Sequence, residues 1–254
     1  MFSLLRTWRR KRILDRHRIP PAIWAETLRQ VLVFHRLSDA ERRRLHDLTL
    51  LFLKEKTLEP AGGMTLDEPA QVRIAALACL PILNLDLDYY EGFVSVIVYP
   101  REFVVRERME TDEAGVVHTS DDVLAGEAWE RGPVVLSWSD VIESGHGRGF
   151  NVVAHEFAHK LDALDGSVNG IPPLHAGMKV AAWTDAFQGA FDDLAQRLED
   201  GEDTWLDPYA AENPGEFFAV CVEMFFDLPV DLEAHYPAVY RQLSDWFRQH
   251  PAAR

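Results

Sequence analysis

The residues best placed to do chemistry lie between positions 151 and 166, where the chain reads His155-Glu156-Phe-Ala-His159. On a helix, His155 and His159 fall on one face, a turn apart, and can point their imidazole nitrogens at one ion. Zinc accepts two neutral imidazoles together with a carboxylate, while Glu156 can act as general base on a water without being a ligand. The alternative is a surface helix that carries two histidines by chance. The apolar flanking residues and the unbroken helical sequence favour the metal site.

A catalytic zinc site needs a third protein ligand, and Glu216 is the best candidate. Asn213 can cap a helix here, so that Glu216 falls in the first turn, where glutamate is also common as a capping residue. Glu212 and Glu223 are weaker ligand candidates. Glu223 shares a helix face with Glu216, and it can hydrogen-bond a ligand histidine or simply be solvated. Asp162, three residues after the second histidine, can orient a ligand or take an exposed or capping position.

The flanking sequence predicts helices on both sides of a short sheet. Apolar residues recur at helical spacing through residues 20–60 and again from 151 onward. Residues 93–99 and 133–138 are rich in β-branched and aromatic side chains, which predicts strands, and residues 112–115 predict a turn between strands. We therefore expect an α+β fold with a small mixed or antiparallel sheet surrounded by helices.

Charge is unevenly distributed along the chain. The net charge is −15, yet residues 1–18 carry seven Lys and Arg against one Asp. We expect this segment to be a basic, flexible arm, with a docking role toward an acidic partner or a membrane surface as the alternative. Residues 19–254 are expected to form one domain. The acidic balance argues against direct binding of nucleic acid, because phosphate binding needs a cationic face.

The lack of a membrane-spanning stretch and the small number of cysteines indicate in which cellular compartment to expect the protein. No stretch approaches the ~20 apolar residues that a transmembrane helix needs, and the first residues do not follow a signal-peptide pattern. Cys79 and Cys221 both lie in apolar runs, which excludes a disulfide framework and a thiolate zinc site. The simplest expectation is a reducing cytoplasm.

Three weaker features have two interpretations each. Residues 134–138 precede the histidine motif and are either an edge strand that pairs with a peptide or an ordinary buried strand. His146 has glycine on both sides, which favours a loop residue over a ligand. His175 follows Pro172-Pro173 and could gate the cleft, although nothing in the sequence requires it.

Blocks outside the motif resemble the Mlc titration factor A family, a group of gluzincin-type zinc peptidases that is distantly similar to the anthrax lethal factor catalytic domain. The matching blocks extend over nearly the whole chain: residues 78–85, 91–93, 99–100, 132–138, 155–162 and 209–226. The resemblance implies a zincin-like metallopeptidase domain in which His155, His159 and Glu216 bind one Zn²⁺ and Glu156 is the base. It also implies that Tyr209 stabilises the oxyanion, a task that suits a neutral phenol donor.

The resemblance implies the function of a zinc-dependent, aminopeptidase-like metallopeptidase that acts on peptides and is linked to a glucose phosphotransferase repressor. The alternative is a protein that binds and sequesters an Mlc-like transcriptional repressor, with weak, latent or partner-triggered peptidase activity. A zinc-stabilised structural domain is a third possibility. Such sites usually have four protein ligands, so a three-ligand set favours catalysis.

Overall fold

Helices dominate the architecture and enclose a short sheet. The computed structural model describes residues 2–101, 110–111, 117–118 and 132–254. The α-helices of this part are α1 (Phe2–Arg16), α2 (Pro21–Gln30), α3 (Asp39–Glu55), α4 (Glu68–Cys79), α5 (Trp138–Glu143), α6 (Val152–Asp162), α7 (Val180–Glu199), α8 (Pro214–Asp227), α9 (Pro229–His235) and α10 (Pro237–Phe247). None of these helices is long and apolar enough to cross a membrane.

The described strands form two small sheets. They are β1 (Thr57–Pro60), β2 (Ser95–Tyr99), β3 (Glu110–Thr111), β4 (Val117–His118) and β5 (Val134–Ser137). The larger sheet has the order β1-β2-β5, and all its strands are parallel, with Val96 paired to Leu58 on one side and to Val134 on the other. The β3–β4 pair is antiparallel and flanks the predicted turn at 112–115, which lies outside the described residues.

The α+β class is confirmed, but the prediction of a mixed or antiparallel main sheet was wrong. α4 lies between β1 and β2 along the chain, and a helical crossover lets two neighbouring strands run in the same direction. The sequence signal of β1 was weak because this strand is short, is largely exposed and ends at Pro60. That proline, followed by Gly62 and Gly63, is typical of a break rather than of a strand.

The basic N-terminal segment forms α1 and lies against the rest of the protein. Arg6 forms ion pairs with Asp88 and Glu91. Arg10 Nη1 lies 2.7 Å from Asp88 Oδ1, and its Nη2 lies 3.0 Å from Glu55 Oε2. Two apolar side chains near the end of the helix pack against the core. The acidic surface of the remaining chain therefore neutralises the inner face of this helix.

α6 and α8 pack against each other inside the core and position the candidate site. Every residue of α8 except Pro214 and Glu216 is buried, as expected for a helix that is apolar on nearly all sides. The buried Glu223 and Asp227 must therefore find partners inside the protein. From α6, Phe157 inserts among three other aromatic rings, with centroid distances of 5.0–5.8 Å.

Candidate metal centre

α6 presents the two motif histidines on the side opposite its core contacts. Asn151 caps the helix, because its Oδ1 accepts a hydrogen bond from the Ala154 backbone N–H at 3.1 Å. Phe157 is buried, whereas the side chains of His155 and His159 keep 12% and 21% of their surface exposed. The two imidazole centroids lie 4.8 Å apart, so both rings face the same space.

The start of α8 brings Glu216 to that space. Asn213 Oδ1 accepts a hydrogen bond from the Glu216 backbone N–H at 3.0 Å, and Pro214 occupies the first helical position, where its missing N–H has no cost. Asn213 therefore caps the helix, which leaves the Glu216 carboxylate available for other contacts. A carboxylate in the first turn also lies at the positive end of the helix dipole.

His155, His159 and Glu216 converge at one point. Nε2 of His155 lies 3.0 Å from Oε2 of Glu216 and 3.2 Å from Nε2 of His159. Nε2 of His159 lies 3.4 Å from Oε1 of Glu216. One possible ligand atom from each residue falls within 4.8 Å of the others, which makes these three a candidate metal-binding group among the described residues.

Glu223 sets the orientation and the tautomer of His155. Its Oε1 lies 2.8 Å from His155 Nδ1, while its Oε2 accepts a hydrogen bond from the Asn151 backbone N–H at 2.7 Å. An ionised carboxylate only accepts hydrogen bonds, so the proton of the neutral imidazole is assigned to Nδ1. Nε2 of His155 then presents a lone pair to the cluster, as a metal ligand requires.

This set of donor atoms fits a divalent cation. Two imidazole nitrogens and a carboxylate face one another at 3.0–3.4 Å. Oε2 of Glu216 is buried and has no hydrogen-bond partner among the described residues, although it lies close to His155. Lone pairs held this close, away from bulk water, are unfavourable unless a proton or a metal ion lies between them. The cluster therefore has the chemistry of a metal site.

The pKa shifts in the cluster follow from the same proximity. Burial lowers the pKa of His155, but the carboxylates of Glu216 and Glu223 outweigh it and raise the pKa to about 10. Burial raises the pKa of Glu216, and the His155 and His159 imidazoles outweigh it and hold the pKa well below its usual range. In metal-free protein the cluster therefore holds a proton, which a metal ion must displace.

Glu156 lies beside the cluster with its carboxylate largely shielded from water. Burial raises the pKa of Glu156, and the negative charge of Glu216 raises it further. The two motif histidines lower it, but the pKa remains above its ordinary value. A carboxylate with a raised pKa is a better proton acceptor near neutral pH than an exposed one.

Tyr209 reaches the cluster from a short 3₁₀ turn. Asp207 caps this turn by accepting a hydrogen bond from the Tyr209 backbone N–H at 2.9 Å. The Tyr209 side chain is half exposed, and its ring centroid lies 6.2 Å from that of His155. Burial, together with the charge of Glu216 and a hydrogen bond to it, raises the pKa of the phenol well above its usual range. Tyr209 is therefore a neutral hydrogen-bond donor beside the cluster.

Asp162 links the end of α6 to the start of α8 through Gly170. Its Oδ2 accepts a hydrogen bond from the Gly170 N–H at 2.7 Å, and the Gly170 carbonyl accepts one from Trp183 Nε1 at 2.8 Å. Gly170 has a φ of +77°, and a Cβ atom on it would lie only 2.5 Å from the Pro214 carbonyl oxygen. This contact lies two residues before Glu216, so the loop sets the position of the first turn of α8.

Asp227 is a positioning residue that the sequence did not reveal. Its Oδ2 accepts hydrogen bonds from the backbone N–H groups of Arg148 and Gly149, both at 2.6 Å. Arg36 Nη2 donates to the Asp227 carbonyl at 2.9 Å. These bonds fix the loop that enters α6. The sequence does offer one indication of this role. Asp227 ends a continuous apolar run, and a carboxylate buried there needs a hydrogen-bond partner inside the protein.

The remaining sequence candidates lie outside the three-residue cluster. Nε2 of His146 lies 2.9 Å from the Ile142 carbonyl oxygen. Nε2 of His175 lies 2.7 Å from the Trp246 carbonyl oxygen, and the His175 ring stacks on the indole. Glu212 is exposed and lies close enough to Tyr209 to contribute to its raised pKa.

The fold and the site together define a class: an α+β protein whose buried helix pair presents a His–His–Glu cluster beside a glutamate, as metallopeptidases do. A family model described as glucose-regulated metallo-peptidase M90 matches residues 5–248, and the chain belongs to this family. It is 39% identical to Mlc titration factor A of Yersinia pestis (strain Pestoides F) over 236 residues, which cover 92% of this chain and 86% of the relative. The same values hold for Mlc titration factor A of Yersinia pseudotuberculosis serotype O:1b (strain IP 31758).

Proposed function

We propose that this protein is a zinc-dependent, aminopeptidase-like metallopeptidase with a zincin-like architecture. The observation that carries the proposal is the convergence of His155, His159 and Glu216 on one point, with Glu156 next to it on the same helix. Membership in a metallopeptidase family supports the same conclusion.

His155, His159 and Glu216 would hold the metal ion, with Glu223 orienting the first of them. Two imidazoles and one carboxylate suit Zn²⁺ and form the three-ligand set typical of catalytic zinc sites. When bound, such an ion supplies Lewis-acid chemistry, because it polarises a substrate carbonyl and acidifies water.

The chain's own residues would carry out the proton transfers. Glu156 would accept a proton from the attacking water and pass it to the leaving amine, a role that its raised pKa favours. Tyr209 would donate a hydrogen bond to the oxygen that becomes negative as the carbonyl is attacked. Its position beside His155 and its neutral phenol support this assignment.

A peptide substrate with a free amino terminus suits the surroundings of the cluster. Glu156, Glu212 and Glu216 all contribute to the raised pKa of Tyr209, so three carboxylates lie around this phenol. Glu212 is exposed and could bind a substrate ammonium group. β5 ends the sheet among the described residues, and an extended peptide could align beside it.

Hydrolysis of unblocked and N-blocked peptides by the zinc-loaded protein tests this proposal. Glu156→Gln should abolish turnover while zinc content stays unchanged, and Glu233→Gln, an exposed α9 residue, should leave both unchanged. Faster cleavage of unblocked peptides would support the aminopeptidase type. Equal turnover by Glu156→Gln and the unaltered protein would refute the assigned base.

Binding of an Mlc-like transcriptional repressor is the second candidate function. It is favoured by the name of the relatives, Mlc titration factor A, at 39% identity. Inactive zinc-loaded protein that nevertheless binds such a repressor would establish this candidate over the peptidase. We place either activity in a reducing cytoplasm, where the buried, unpaired Cys79 and Cys221 would remain thiols.

A further inference from the structure

The outer face of α1 combines cations with exposed apolar side chains. Trp8 and Leu5 each keep 60% of their surface exposed. Arg12 lies over the Trp8 ring, 5.4 Å from its centroid, and Arg16 follows one turn later. Lys11 is also exposed and makes only a long contact with Asp15, at 3.4 Å. We call Leu5, Trp8, Lys11, Arg12 and Arg16 the outer face.

The inner face of the same helix is held by the ion pairs of Arg6 and Arg10 with the acidic surface beneath. Arg9, at the margin, lies 3.1 Å from Glu55. Arg6 and Arg10 are held by carboxylates, whereas Arg12 and Arg16 form no ion pair among the described residues, so α1 presents its outer face in one fixed orientation. No folding step is needed before the outer face can bind a partner.

We propose that the outer face is a docking surface for an anionic phospholipid membrane. Arg12, Arg16 and Lys11 would contact lipid phosphates, while Trp8 and Leu5 would enter the boundary between headgroups and acyl chains. A helix with this combination of basic residues, tryptophan and leucine suits binding in the plane of an interface. A shallow depression open to the outside lies among Trp8, Lys11, Arg12, Asp15 and Arg16 and offers space for a headgroup phosphate.

The charge distribution supports a specific orientation on the membrane. Residues 1–18 carry a net charge of +6, which leaves −21 for the rest of the chain. An anionic surface therefore attracts α1 and repels the remaining protein. Salt screens both interactions and weakens them. Exposed Trp8 and Leu5 next to the cations of α1 suit the boundary between headgroups and acyl chains, which favours a lipid surface over an acidic protein.

Co-sedimentation of the full chain with vesicles tests the proposal. Vesicles of phosphatidylcholine are compared with vesicles in which a third of the lipid is phosphatidylglycerol, at low and at high salt. The double variant Arg12→Gln/Arg16→Gln should weaken binding to the anionic vesicles about 25-fold, that is, about fivefold per arginine. Arg29→Gln/Arg43→Gln, with the same loss of charge on exposed sites of other helices, is the matched control. Trp8→Ser should weaken binding without changing its salt dependence.

Binding to anionic vesicles only, lost in the outer-face double variant and kept in the control, supports the proposal. Absence of binding at low salt, or an equal loss in both double variants, would overturn it. If the outer-face variant binds the anionic vesicles as tightly as the unaltered protein does, the membrane assignment is wrong. Circular dichroism of each variant confirms that the helices are intact. None of these readouts depends on peptidase activity.

Discussion

Replacing Gly170 with alanine should weaken metal binding as well as folding. The new Cβ would lie 2.5 Å from the Pro214 carbonyl oxygen and 3.1 Å from its carbonyl carbon. Both are backbone atoms that cannot rotate away. The loop or the start of α8 must therefore move by roughly 0.5–1 Å to regain normal contact distances, and Glu216 lies only two residues farther along.

Gly63 offers a control that separates the steric clash with Pro214 from the strain of a left-handed backbone. It has the same φ of +77°, but a Cβ atom there would meet nothing within 4 Å. Gly63→Ala should cost about 1–2 kcal/mol in the free energy of unfolding, from left-handed strain alone. Gly170→Ala should cost about 1–3 kcal/mol more because of overpacking. Displacement of Glu216 should reduce metal affinity about 10- to 100-fold, and Gly63→Ala should leave it unchanged.

Two measurements decide the matter. Urea unfolding of metal-free protein gives the free energy of unfolding without the contribution of bound ion. Competition with a chromophoric chelator gives zinc affinity at a temperature where all variants are folded. If Gly170→Ala and Gly63→Ala bind zinc equally well, the contact with Pro214 does not position Glu216. The reasoning from the close approach would then be refuted.

Four further substitutions test individual side chains. Burial raises the pKa of Asp162 to about 6, so the protein loses stability as pH rises from the ordinary carboxyl pKa through that value. Between about pH 4 and pH 7, the free energy of unfolding of Asp162→Asn should therefore increase relative to that of the unaltered protein, on the order of 3 kcal/mol. Urea unfolding across this pH range measures the difference, and a difference independent of pH would contradict the prediction. Glu223→Gln should weaken zinc binding about 10- to 100-fold, whereas Glu233→Gln should not. Equal affinities would show that the charge of Glu223 does not strengthen His155 as a ligand. Tyr209→Phe should lower kcat about 100- to 1,000-fold at unchanged zinc content, and an unchanged kcat would exclude the phenol as oxyanion donor. Glu212→Gln should raise KM for unblocked peptides but not for N-blocked ones, and an unaltered preference would remove Glu212 from recognition of the amino terminus.

Local geometry explains which parts of the site the sequence predicts well. His155 and His159 belong to one helix, and their four-residue spacing is enough to bring their rings together. The caps at Asn151 and Asn213 are equally local, since each involves a backbone N–H three residues later. No knowledge of the tertiary structure is needed for these features.

Contacts between distant segments explain what the sequence left open. For Glu216, helix capping and metal binding could not be separated, because the answer depends on where α8 lies relative to α6. That placement rests on Gly170 and Asp227, which act on loops and helices far from them in the chain. β1 was not predicted at all, since residues 20–60 were expected to be helical, and its parallel pairing with β2 across the intervening α4 is a tertiary property.

One helix supplies the groups that face both nitrogens of His155. Glu216 lies against Nε2 and Glu223 against Nδ1, from positions two turns apart on the same face of α8. The packing of α6 on α8 therefore fixes the ligand position and the tautomer together, and neither can change without the other. Because the apolar side chains of these helices belong to the main core, metal binding and core packing are coupled. It follows that a bound ion should stabilise the whole fold, by an amount that grows with the logarithm of its free concentration.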